Sequence, residues 1–75
     1  MSQIFPNPTS DELSVIVNGV NVYDLQLFDV NGRLVYNEKS ITTQKHTIRT
    51  DNLSPGIYNL VIGKNATEHF KIVVY

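Results

Sequence analysis

Three observations predict an all-β fold for this chain of 75 residues, a small antiparallel sandwich or barrel of roughly six or seven strands. Apolar residues alternate with others in short runs, as in Leu13, Val15 and Val17 or Phe70, Ile72 and Val74, which is the period of two that a strand requires. Turn signals separate these runs at intervals of roughly 8–12 residues. No stretch of roughly ten residues carries the helical period. So many strands in so short a chain favour two packed sheets, because a single sheet would leave an apolar face in water.

Residues 1–12 hold Pro6 and Pro8 among turn-prone neighbours, and each proline pushes its predecessor toward extended conformations, so they read as a lead-in or linker. Leu13 to Val17 is the first expected strand, closed by Asn18-Gly19. Val22 to Val30 is the next, with Tyr23, Leu25 and Leu27 on one face and Asp24 and Gln26 opposite, a face open to water. Asn31-Gly32 predicts a type I′ hairpin, with Gly32 supplying positive φ, that folds Arg33 to Tyr36 back antiparallel. Lys39 to Gln44 is polar and reads as a loop able to carry the chain between sheets. His46 to Arg49 is a short strand with Ile48 inward. Leu53 anchors a reversal at Pro55-Gly56, where Pro55 sets one angle and Gly56 admits positive φ. The strand that follows puts Tyr58, Leu60 and Ile62 on an apolar face and breaks at residues 63–67. Glu68 to Tyr75 is the last strand.

Length allows one domain, 1–75, with a small core. The chain has no cysteine, and its two histidines have no partners at metal-ligand spacing, so packing must supply the stability. A net charge of −1, with six Lys and Arg spread singly, carries no footprint for nucleic acid. Apolar runs fall far short of the ~20 residues of a membrane-spanning helix, so no membrane insertion is expected. The first residues lack the basic and apolar regions of a signal peptide, so an exported form is expected to derive from a longer precursor.

Few residues suggest chemistry. Asp29-Val30-Asn31-Gly32 begins like a calcium loop but lacks its terminal Glu, and a plain hairpin accounts for it better. His46 and His69 lie in no constellation with a nucleophile or carboxylate and read as solvent-facing strand positions. Asn65-Ala66-Thr67 and Asn52-Leu53-Ser54 fit glycosylation acceptors, and ordinary turn chemistry explains both. Tyr58 is expected in the core, while Tyr36 and Tyr75 are open to a role in binding. No catalytic set, metal site or cofactor motif emerges, so an enzyme is not expected.

Four pieces in order carry a resemblance: Phe5-Pro6-Asn7-Pro8, Asp29-Val30-Asn31-Gly32-Arg33, Leu53-Ser54-Pro55-Gly56-Ile57-Tyr58 and Lys71-Ile72-Val73-Val74. Together they resemble the C-terminal sorting domain of the bacterial type IX secretion system, found in Bacteroidetes. The resemblance implies an immunoglobulin-like β-sandwich at the end of a secreted protein. It also implies a function as an address, which takes the cargo from the periplasm across the outer membrane to the cell surface or the medium. The implied partners are an outer-membrane translocon and a surface sortase that removes the domain and can attach the cargo to an anionic lipopolysaccharide. Gly56 and Tyr58 match the Gly-x-Tyr element and are expected to act through folding as much as through recognition. Lys71 matches the lysine of the last element, and Lys71, Ile72, Val73 and Val74 are the candidates for contact with the machinery. A second basic residue after the terminal apolar run, frequent in that family, is replaced here by Tyr75.

A different class of function, a sandwich that binds carbohydrate or protein at the cell surface, would use Tyr36 or Tyr75. The last strand is also expected to leave an open edge, which would support recognition by strand addition or self-association.

Overall fold

The computed structural model describes residues 2–6, 8–19, 22–63 and 67–75. Among them are seven strands and no helix: β1 (Ser2–Phe5), β2 (Glu12–Val17), β3 (Tyr23–Phe28), β4 (Leu34–Ile41), β5 (Lys45–Arg49), β6 (Gly56–Gly63) and β7 (Thr67–Val74). They form two antiparallel sheets, β1-β2-β5 and β4-β3-β6-β7. The result is the small β-sandwich expected from the alternation. Its order is immunoglobulin-like, with the fourth strand paired to the third, where the constant-type arrangement would set it beside the fifth.

The core is the meeting of two inner faces. Leu13, Val15, Val17 and Ile48 come from the three-stranded sheet, and Leu25, Leu27, Leu60, Ile62 and Ile72 come from the other, all essentially inaccessible to solvent. Side chains two apart along each strand point the same way, so the alternating runs of the sequence become these faces directly. Val61 and His69, one position out of phase, fall on the outward face.

Several expectations need correction. Residues 1–12 are not all linker: Ser2–Phe5 pairs with β2, with Ser2 opposite Val17 and Phe5 opposite Ser14. The Phe5–Pro6 peptide is cis. Thr9, also within that segment, is buried and bridges the end of β7 in parallel. The expected polar loop from Lys39 is shorter, because β4 continues to Ile41, which is buried against the core. A bulge explains this. Tyr23 faces Ile41 while Leu25 faces Glu38, so one extra residue sits in β4 and reverses the parity of everything after it. Ser40 takes the positive φ of 57°, and its N–H donates to the Asp24 carboxylate at 2.9 Å. The remaining residues 42–44 carry the chain from one sheet to the other, with Tyr23 OH donating to Thr43 O at 2.8 Å.

Asn31-Gly32 does close the hairpin between β3 and β4, but not as a two-residue type I′ turn. Gly32 alone has positive φ, 81°, and Asn31 does not. Gly32 N donates to Asp29 O, and Asp29 N to Arg33 O, which is a three-residue loop with glycine in the left-handed position. The reversal before β6 also lies upstream of Pro55-Gly56. Leu53 N donates to Thr50 O, and Pro55 makes a bend that delivers Gly56, at φ 157°, into the strand.

Candidate functional site

The four-stranded sheet has one end where the β3–β4 hairpin, the start of β6 and the end of β7 come together. Register makes this so: Phe28 pairs with Asn59, Asn59 with Lys71, and Ile57 with Val73. A groove of about 470 Å³ opens there on the outward face. Phe28, Asp29, Val30 and Gly32 line it from the hairpin. Ile57, Tyr58 and Asn59 line it from β6, and Lys71 from β7. Three of the four sequence elements thus contribute to one surface.

Asp29 organises the hairpin side. Its Oδ1 accepts the N–H groups of Asn31 and Arg33, each at 2.9 Å, and its Oδ2 meets Arg33 Nε at 3.2 Å. The Arg33 backbone N–H first, then that of Asn31 and the Arg33 charge, hold the Asp29 carboxyl below the ordinary carboxylate value. Both oxygens therefore face N–H donors, an arrangement that serves the hairpin. The spacing Asp-x-x-Gly-Arg has a physical reason, since the carboxylate needs the N–H groups two and four residues on, and the loop needs glycine between them.

The corner works similarly. Tyr58 buries its ring and donates its hydroxyl to Ser54 O at 2.6 Å, four residues upstream. This is the tyrosine corner seen at the same place in immunoglobulin-like sandwiches. Gly56 lies near the edge of the positive-φ range, and a Cβ there would meet nothing within 4 Å, so its requirement is one of backbone angle and not of space. Pro55 is exposed in the bend.

On β7 the alternation divides the candidate residues. Ile72 and Val74 point into the core, at 0% and 3% exposure, so in the folded domain only Lys71 and half-buried Val73 present side chains outward. The outer edge of β7 is not open throughout, contrary to expectation. Thr9 N donates to Val73 O at 2.8 Å, and Tyr75 N donates to Thr9 O at 3.0 Å. The segment expected to be linker is what covers it.

Thr9 is a residue that sequence reasoning missed. Its buried hydroxyl donates to Glu12 O at 2.6 Å and lies 3.3 Å from Thr50 Oγ1, while Thr50 N donates to Asp11 O. It ties β7, the start of β2 and the connection after β5 into one node. A threonine between turn residues carries no local signal of this.

Tyr36 is half-buried, with its hydroxyl 2.7 Å from His46 Nε2 and burial, then the Glu38 charge, raising its pKa. His46 is therefore partly enclosed between β4 and β5, whereas His69 is exposed. Tyr75 is 70% exposed. Asn52 lies exposed in the turn, Asn65 and Ala66 of the Asn65-Ala66-Thr67 acceptor and Asn7 of Pro-Asn-Pro lie outside the described residues, and Thr67 is exposed at the start of β7. No helix among the described residues is long and apolar enough to cross a membrane.

A family model described as a secretion system C-terminal sorting domain matches residues 3–75. The chain is also similar to an ulvan lyase of Nonlabens ulvanivorans, 29% identical over 62 residues, which is 83% of this chain and 12% of the lyase. That match is to the tail region of the lyase.

Proposed function

Because the chain belongs to the family of type IX secretion-system C-terminal sorting domains, whose members mark proteins for export to the cell surface or the extracellular space, we propose that it is read as a folded address by an outer-membrane translocon. A surface sortase then removes it from its cargo. The family is one of sorting signals and not of enzymes, and in this reading the domain does no chemistry of its own and binds no cofactor. The observation that carries the reading is convergence: the hairpin, the Gly-x-Tyr corner and Lys71, distant in sequence, line one groove. A motif needed only for local folding would have no reason to gather its exposed members on one surface.

Within this reading Lys71 and Val73 make the outward contact, while Ile72 and Val74 hold the strand that presents them. The alternative of a carbohydrate-binding module has less support. Tyr36 lies on β4 and Tyr75 follows β7, at opposite edges of the sheet, and Tyr36 is committed to His46. Fusing residues 1–75 to a periplasm-targeted fluorescent reporter in a host with the secretion system tests the proposal. Reporter reaching the surface or medium is expected, and reporter retained in the periplasm refutes it.

A further inference from the structure

The node at Thr9 is polar where the rest of the interior is apolar. Thr9 and Thr50 are both buried, and their hydroxyl oxygens lie 3.3 Å apart. Thr9 has one hydroxyl proton, which goes to Glu12 O at 2.6 Å, so it is Thr50 that donates to Thr9 Oγ1. Two buried hydroxyls hold a fold together no better than two methyl groups of the same shape, and what the bonded pair adds is direction.

That direction reaches both strands at the end of the β6–β7 ladder. Gly56 opposite Val74 is the terminal pair there, and beyond it neither strand has the other to hold it. On the β7 side the Thr9 backbone takes over, donating to Val73 O and accepting from Tyr75 N. On the β6 side Thr50 does so. Its N–H donates to Asp11 O at 2.7 Å, and its carbonyl accepts the Leu53 N–H at the turn that leads to Gly56 and to the Tyr58 hydroxyl on Ser54 O. The exit of β7 and the entry of β6 are thus fixed to one buried point. Ile57 and Tyr58 of the groove stand at that entry, and Lys71 shortly before that exit.

We infer that Thr9 and Thr50 are positioning residues for the sorting signal. Their hydroxyl pair aligns the start of β6 with the end of β7, and export depends on that alignment beyond the stability the pair contributes. The segment after β1 therefore belongs to what is read on the four-stranded sheet. This rests on the sorting reading, and adds to the signal two residues that lie in none of its four sequence pieces.

Three substitutions in the reporter fusion test it, each compared with wild type at equal fraction folded. Thr9→Val keeps the shape and removes the hydroxyl, and Thr9→Ser keeps the hydroxyl and gives up a buried methyl. Val17→Ala opens the core at the far end of β2, where Val17 faces Ser2. All three should melt below wild type, and only Thr9→Val should lose export. Its Tyr75 amide should exchange about tenfold or more faster than in the Val17→Ala domain. Where Thr9→Val does not fold, Thr50→Val takes its place, since it leaves Thr9 its bond to Glu12 O. Export kept by Thr9→Val, lost equally in Val17→Ala, or lost as fully in Thr9→Ser overturns the inference and leaves sorting intact. A Tyr75 amide that exchanges at the same rate in the Thr9→Val and Val17→Ala domains overturns it too. A wild-type fusion that stays in the periplasm instead removes sorting, and with it the role in export, whatever the Tyr75 amide shows.

Discussion

At the Leu53–Tyr58 corner the side chains are directed into the fold, with the Tyr58 ring in the core and its hydroxyl on Ser54 O. Across the groove, on β7, Lys71 carries its charge on the solvent face of a strand whose neighbours Ile72 and Val74 are buried. Both regions belong to the same sequence pattern. The difference teaches that a pattern defined by residue order mixes residues directed into the fold with residues directed to solvent. Substitutions at the corner should register in stability first and export second, and substitutions on the outward row of β7 in export alone.

The largest expected effect is at the corner. Tyr58→Ala removes a buried ring and its hydrogen bond, at a cost of about 3–5 kcal/mol, enough to unfold much of a small domain as followed by circular dichroism. Next is the node behind it. Thr9→Val keeps the shape and deletes the hydroxyl that joins Glu12 and Thr50, and should lower the unfolding free energy by about 1–3 kcal/mol in urea. Gly56→Val falls in a similar range, about 1–3 kcal/mol, through backbone strain at φ 157° in otherwise open space. If Gly56→Val melted like wild type, the corner would not depend on that backbone angle.

Asp29 sharpens the comparison, because it shapes the fold from a half-buried position in the hairpin. Its folded pKa is lowered, so its contribution is complete above the ordinary carboxylate value of 3.8 and is lost as pH falls through the lowered folded value. Asp29→Asn should therefore melt below wild type at neutral pH, with the gap closing as the pH drops below about 4. Thermal melts across that range check this, and a gap independent of pH would contradict it.

Most strands were legible because a half-buried sheet leaves a period of two in the sequence, as Leu13 to Val17 and Tyr58 to Ile62 show. What escaped was non-local or out of phase. β1 is four residues long and abuts a proline, too short for a pattern to form. Ile41 was lost because the bulge at Ser40 reverses parity, and bulges depend on a partner strand that sequence does not display. The hairpin at Asn31-Gly32 was placed correctly, but its type is decided by the Asp29 carboxylate gripping two N–H groups. At the candidate site, Gly32, Tyr58 and Lys71 were identifiable by resemblance. Their meeting in one groove follows only from the register of β3, β6 and β7.

The smallest effect on stability carries the most weight. Lys71→Ala is an exposed truncation and should change the unfolding free energy by less than about 0.5 kcal/mol. Measured together in the reporter fusion, melting temperature and export should separate for this variant, with melting held and export reduced. Export at the wild-type level from a folded Lys71→Ala domain would contradict the claim that the outward face of β7 is what the machinery reads.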